Sequence, residues 1–369
     1  MLGKSLFYFT TPKLLTIRNP KVGLFNRFTQ LLIISFILWD LLFNELYLKT
    51  EIPSGYTTFW AETGNLTNIQ NSVNKNDIIY CNNQSYNYAY DYDKWFYKDI
   101  DCINLPYSEM YQKGENEFFF LTHFTEYVID VKKCINNTEN ICLNRNKNEF
   151  FTIGSEGMKF AFDHFYTTSF EEGSNLYEEG FQNIDTYIKD KNGNELYHFK
   201  KGETISFSVN KWLELAKVDL DSFNLGTPPS MPHQDVINPE HAFKRLSGIE
   251  IIIMVNYFNF NFYDTSTCEI NLLPNAVWSS KGSQIFYHKY PNITDENDEY
   301  SYTDRYRYGI KFKFITNGLM GEFNINSLIS HLVSGVVGIN LSTMIVSYFL
   351  IIFTGEYGKN FKRVKYSKR

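Results

Sequence analysis

Several things are scarce or missing in this 369-residue chain, and each removes a class of explanation. There are only five cysteines and no CxxC pair, and the seven histidines are scattered without ligand spacing, so a metal site is not expected. No phosphate-cradling GxxxxGK[ST] loop, no GxSxG elbow and no HExxH helix occurs, which argues against an enzyme and against a resident cofactor. Basic charge is short overall, with 35 Lys and Arg against 41 Asp and Glu, so nucleic acid is not expected as a partner. No internal repeat of fixed period is present. Aromatic residues, by contrast, are abundant: they make up 18% of a chain that is 43% hydrophobic, enough to build a large core.

The net charge of −6 conceals a partition. Residues 1–27 carry five cations and no acid, and residues 354–369 carry six cations and one acid, leaving 24 of the 35 cations and 40 of the 41 acids between them. An apolar stretch stands at each joint, at 28–47 and at 327–353. Each is long enough to cross a hydrocarbon layer of about 30 Å as a helix. The first starts late and is followed by no small-residue cleavage site, which reads as a span and not a leader. Lys and Arg resist translocation, so both basic ends are expected in the cytosol and residues 48–326 outside the cell or in a lumen. The basic tail would also meet anionic membrane lipid.

The middle segment carries marks of that compartment. Sequons for N-linked sugar fall at Asn65, Asn83, Asn136 and Asn292. All five cysteines, Cys81, Cys102, Cys134, Cys142 and Cys268, lie there too, in odd number. Cys81 with Cys102, and Cys134 with Cys142, are possible pairs that the sequence does not fix. Strand-like runs rich in aromatic and β-branched residues occur at 118–131, 203–209, 249–255 and 259–262, which predicts a β-rich domain. A short helix is expected at 212–218, a loop at 226–234, and an exposed loop over the Tyr- and Asp-rich stretch 83–99.

The clearest period is RYRYGIKFKF, residues 305–314. Alternation places Arg305, Arg307, Lys311 and Lys313 on one face and Tyr306, Tyr308, Ile310, Phe312 and Phe314 on the other. Either the cations guard a solvated edge strand, or part of the row meets an anionic ligand.

Five fragments occur in order along the chain: TTPKLLTIRNPKVGLFNR (10–27), QKGENEFFFLTHF (112–124), SGIEIIIMV (247–255), YGIKFKFITNGLMGEFNINSLI (308–329), and Phe361 to Lys365. With the layout of tail, span, large segment, span and tail, they resemble the P2X receptors, which are trimeric cation channels gated by ATP. The resemblance implies a membrane protein with two transmembrane helices and a β-rich extracellular or lumenal domain, assembled as a homotrimer. ATP would be the gating ligand, bound between neighbouring domains, and the second spans would line a non-selective path for Na+, K+ and Ca2+.

A helical stripe of Ser334, Val337 and Leu341, with Asn340 beside it, matches the family's pore-facing positions. The acid that the family often carries deeper in this span aligns with Ser347, and Asp40 and Glu45 of the first span would have to compensate.

The ligand site departs further from the family. Glu62 falls where an early-strand lysine is expected, Gln284 to Phe286 replace an Asn-Phe-Arg motif, and Tyr306 stands at the late-strand lysine. Lys289 matches a nearby family lysine, and the pair Phe151 and Thr152 matches its adenine-contacting Phe-Thr. The expected ligand contacts are therefore Lys289 for phosphate and Thr152 for adenine, with Arg305 and Arg307 as further cations and Lys281 unplaced. The alternatives are a channel of this fold that ATP alone does not open, or a membrane protein that binds nucleotide without conducting. The location is the plasma membrane or an intracellular vacuole.

The topology is open to test by protease digestion of sealed vesicles. Tags placed at the two ends should be cut or protected together, and tags found on opposite sides would contradict the two-span reading.

Overall fold

The computed structural model describes residues 20–91, 95–133, 141–169, 184–237, 240–259, 267–290 and 300–353, with 355, 359, 360 and 363. Cys134, Asn136, Asn292, the strand-like run 260–262 and most of both tails lie outside these residues. Along the chain come helix α1 (Pro20–Phe43), strands β1 (Leu48–Glu51) and β2 (Ser54–Glu62), and helix α2 (Leu66–Ser72). Strands β3 (Tyr88–Asp91), β4 (Trp95–Tyr97), β5 (Asp101–Ile103), β6 (Tyr111–Lys113), β7 (Glu117–Lys133), β8 (Ile141–Thr152) and β9 (Lys159–Thr167) follow. Then come β10 (Asp185–Lys189), β11 (Glu195–Phe199), β12 (Ile205–Ser208) and helices α3 (Val209–Leu215) and α4 (Lys244–Ser247). Strands β13 (Ile249–Phe258), β14 (Thr267–Asn275), β15 (Ser280–Lys289) and β16 (Tyr300–Phe323) lead into helix α5 (Ile325–Phe353). Contacts divide the chain into a terminal unit, Met1–Thr50 with Gly321–Arg369, and a β-rich unit, Glu51–Met320.

In the terminal unit α1 and α5 are both long and apolar enough to cross a membrane. α1 begins at Pro20 and ends at Phe43, earlier at both ends than the apolar stretch suggests. Proline suits a first helical turn because its fixed φ is helical and its missing N–H would have no partner there. The stop comes where Glu45 takes a left-handed φ of 50° and the Leu46 N–H donates back to the Leu41 carbonyl. α5 is capped by Asn324, whose side chain accepts from the Ser327 N–H at 3.0 Å. Small residues let the helices approach: a Cβ built on Gly335 would lie 3.2 Å from Ile37, and one on Gly338 3.5 Å from Ile33.

The β-rich unit is built on a sheet in the order β11-β10-β14-β13-β16-β7-β8-β5, with β15 also pairing with β16. A second sheet, β12-β9-β2, lies against it. Aromatic rings fill the space between: Phe160 stacks on Phe312 at 4.7 Å, Phe59 on Phe314 at 5.0 Å, and Trp212 from α3 packs on Phe162 at 5.7 Å. Burying each such ring is worth roughly 1.5–3 kcal/mol, so this layer is the main source of stability. Gly309 is needed where β16 meets β7, because a Cβ there would stand 1.9 Å from the Phe120 carbonyl oxygen. Gly318 has φ 124° and a Cβ would strike the Tyr257 backbone.

Two expectations are corrected. The stretch 83–99 is not an exposed loop: it contains β3 and β4, and Tyr86, Tyr88 and Tyr97 are buried. Tyrosine buries its ring while its hydroxyl finds a partner, here Asp221 for Tyr86, the Pro228 carbonyl for Tyr88 and Tyr308 for Tyr97. Nor is the run 305–314 an edge, since β16 pairs with β7 on one side and with β15 and then β13 on the other, and both arginines are buried. The short helix starts at Val209, ahead of the expected 212, because Ser208 caps it through the Lys211 N–H. A Cys81–Cys102 disulfide forms and Cys268 is a buried free thiol.

His164 is fully buried between the Tyr257 and Thr186 hydroxyls, 3.0 Å from each. Burial pushes its pKa down to about 3. The unfolded ring protonates near 6.5 and the folded one does not, so stability is complete above that pH and erodes as pH falls toward the folded value. Between pH 6.5 and 5, above the range of ordinary carboxylates, about 1.5 kcal/mol should be lost. Thermal unfolding of His164→Phe should show a flatter profile in this window, and an unchanged slope would contradict the assignment.

Candidate functional site

The long central strand β16 positions the cations singled out in the sequence. Its register sets Arg305 between Glu126 of β7 and Gln284 of β15, and Arg307 between Phe124 and Lys281. Residues directly paired across strands share a face, so these form rows three strands wide. Arg305 ion-pairs with Glu109 and with Glu126 at 2.5 and 3.1 Å, and its guanidinium lies over Phe124 and Phe286. Its charge is already balanced within the chain.

Arg307 has different company. One of its terminal nitrogens donates to Gln112 at 2.7 Å and to the Gly282 carbonyl at 3.3 Å, and among the described residues no carboxylate forms an ion pair with it. Burial, and then repulsion from Arg305, lowers its pKa from the ordinary arginine value, yet a guanidinium stays charged. Lys281, beside it, is held by Glu117, which also stands 3.9 Å from Lys311. Burial raises the Glu117 carboxyl, but the hydrogen bond from Lys281 and the surrounding lysines outweigh it and hold the group below the usual carboxylate range.

The remaining expected contacts lie elsewhere in the chain. Lys289 is exposed at the end of β15, where it pairs in register with Ser301. At about 3.3 Å per residue that is roughly 13 Å along β16 from Arg305. Thr152 is fully buried, and its hydroxyl donates to the Leu121 carbonyl at 2.8 Å. The side chain expected to meet adenine is thus turned into the core. Within one chain Lys289, Thr152 and the two arginines do not converge.

Glu62 faces Lys159 across the β2–β9 register, at 3.9 Å and with both side chains about half exposed. The cation missing from the early strand is therefore present one strand over, and sequence reading overlooked it. It also missed a buried polar cluster. His123 contacts Glu149 at 3.0 Å and the Leu246 carbonyl at 3.1 Å, Thr125 donates to Glu149, and Lys147 reaches the same carboxylate at 2.7 Å. The only local hint was a His and a Thr alternating inside an otherwise apolar strand.

In the terminal unit Ser334, Val337, Asn340 and Leu341 are all exposed on α5, and Ser334 stands one helical turn from Gly338, which approaches α1. Ser334 donates to the Ser330 carbonyl. Asp40 of α1 accepts from Asn44 at 2.5 Å. Of the sequons, Asn65 is exposed at the start of α2, whereas Asn83 is half-buried and its amide is engaged with Ser85 and the Ile79 carbonyl.

No family model matches the chain. P2X receptor C of Dictyostelium discoideum is 24% identical over 374 residues, spanning 98% of this chain and 91% of that protein. P2X receptor B of the same organism is 24% identical over 377 residues, with the same coverage of both. The chain is similar to P2X receptors along nearly its whole length. Among solved structures, an invertebrate P2X receptor from the Gulf Coast tick, obtained with ATP and zinc, covers 88% of this P2X-like chain at 12% identity and a TM-score of 0.48. The β-rich unit and the two terminal apolar helices agree with the fold class read from the sequence.

The two arginines should respond oppositely to removal. Arg305→Met leaves Glu109 and Glu126 facing each other half-buried, and should cost about 2–4 kcal/mol. Arg307→Met removes a buried charge that has no carboxylate partner, and should be neutral or stabilising. Melting of the detergent-solubilised protein reads both. Equal losses would show that the difference in partners does not matter.

Proposed function

We propose that the chain is a divergent P2X receptor, a homotrimeric, ligand-gated cation channel whose second spans line the ion path. The carrying observation is the similarity to P2X receptors C and B along nearly the whole chain, spans and β-rich segment together. The exposed stripe Ser334, Val337 and Leu341 supports it, because an exposed helix row that mixes a polar with apolar residues suits contact with copies of itself around water. The acidic segment between the spans would raise the local concentration of cations. Gating needs only a ligand that binds the open state more tightly than the closed one, so no hydrolysis and no cofactor enters.

ATP is the ligand that this kinship suggests, held between neighbouring subunits. A triphosphate carries about three to four negative charges and is best met by Arg and Lys. On this reading Lys289 and Lys159, both exposed, supply charge from the surface, and Arg307 supplies a cation with no carboxylate partner. The altered cation set favours one specific variant: a P2X channel with weak response to ATP, or one that needs another ligand as well. Glu62 reverses a charge, Tyr306 removes one, and Arg305 is neutralised by two carboxylates. Passage of Na+, K+ and Ca2+, sugar on Asn65, and residence at the plasma membrane or a vacuole belong to the same proposal.

Purified protein in lipid vesicles should pass cations when ATP is added on the side of the β-rich unit, and Lys289→Ala should shift the response to roughly tenfold higher ATP, about 1.4 kcal/mol. Current that appears only with a second ligand would select the variant. Absence of any current, with the oligomer intact, would overturn the channel.

A further inference from the structure

A cleft of about 220 Å3 opens on the face of β16 opposite the arginines. Its walls are Tyr90, Trp95, Tyr97, Trp278, Tyr306 and Tyr308, with Ser280 as the one aliphatic hydroxyl. Tyr90 and Trp95 are exposed at the mouth, at 45% and 38%, while Tyr97 and Tyr308 are buried at the base. Three of the four tyrosine hydroxyls are paired within the lining: Tyr97 with Tyr308 at 2.7 Å, and Tyr306 with Ser280 at 3.2 Å. Most of the hydroxyl tips are therefore occupied, and ring surface is the larger part of what the cleft has to offer.

Most of the ring planes are steeply inclined to one another, although Tyr97 and Trp278 lie at 33°. Tyr97 meets Tyr308 at 85°, Tyr306 meets Tyr308 at 62°, Trp95 meets Tyr306 at 58° and Trp278 meets Tyr308 at 53°. A flat ligand is held by two parallel walls, whereas inclined walls suit a compact, rounded one. The volume points the same way, since sites for drug-sized ligands run to about 300–1,000 Å3.

Charge decides the class. Among the described residues no Lys or Arg lines the cleft. The rings do hold a cation already, from outside the lining: Lys147 places its ammonium 5.0 Å from the Tyr97 ring centroid. Behind Tyr97 and Tyr308, His123 stacks on Tyr308 and contacts Glu149, whose carboxylate is itself buried. An anion would find no Lys or Arg among the described lining residues to balance it, whereas a cation would be drawn to the negative faces of the rings.

We propose that this aromatic cleft binds a compact organic cation, of the quaternary or tertiary ammonium class. The site is separate from the surface cations assigned to nucleotide and does not depend on ATP acting on the chain. At Tyr306, where the family resemblance anticipates a lysine, a ring takes the place of a charge, which turns the preference from anion to cation.

The test uses the full chain in detergent, titrated with tetramethylammonium and with choline and, separately, with choline's uncharged isostere 3,3-dimethylbutan-1-ol at matched ionic strength. Calorimetry and quenching of tryptophan fluorescence follow binding. Tetramethylammonium and choline should saturate, and the alcohol should bind about tenfold more weakly than choline or not at all. Trp95→Ala and Tyr306→Lys should weaken tetramethylammonium by about tenfold or more, while Tyr306→Phe, which keeps the ring, should retain it. Trp95 is partly exposed, so its loss is tolerable to the fold, and an unchanged melting temperature verifies this. Equal binding of the alcohol, no saturable binding of the ammonium ion, or wild-type binding by Trp95→Ala would each overturn the proposal.

Discussion

A strand hydrogen-bonded on both sides has nowhere to hide a charge, and β16 carries two arginines in that position. Alternation leaves no choice about which residues share a face. Once Ile310, Phe312 and Phe314 are committed to the aromatic layer, Arg305 and Arg307 must stand on the reverse side, between β7 and β15. Glu109 and Glu126 are drawn to Arg305, and Gln112 and the Gly282 carbonyl to Arg307. Interleaved with the arginines on the opposite face, Tyr306 and Tyr308 join the rings of β3 and β4 and form the cleft with Trp278. One parity thus separates a cationic face from an aromatic face.

Much of this was legible in the sequence. The two apolar helices, the β-rich unit and the alternation of 305–314 follow from hydropathy and period alone. The helix starts differ by two to eight residues, set by particular groups such as Pro20, Asn324 and Ser208 that hydropathy does not see. What failed was the reading of burial. The sequence 83–99 looks like loop because Asn, Asp and Tyr are common in turns, yet Tyr86, Tyr88 and Tyr97 each have a hydroxyl partner more than 130 residues away in sequence. The arginine row looks like an edge because nothing local reveals that β15 returns to cover it.

The candidate ligand site was legible in kind but not in place. Thr152 matched by motif and is spent on the Leu121 carbonyl, and Arg305 is spent on carboxylates from β7 and the turn before β6. Lys159 became visible only through its register with Glu62. Separation of the matched residues within one chain fits a ligand shared between chains, and the exposed stripe on α5 fits contact between copies. The channel reading therefore requires more than one copy.

That requirement makes subunit number the most direct test. The account predicts that the detergent-solubilised protein has a native mass of about three times the 43.4 kDa chain, after detergent is subtracted, and that a cysteine at Val337 cross-links only between copies. A monodisperse single chain in mild detergent, with no cross-linking at Val337, would contradict it.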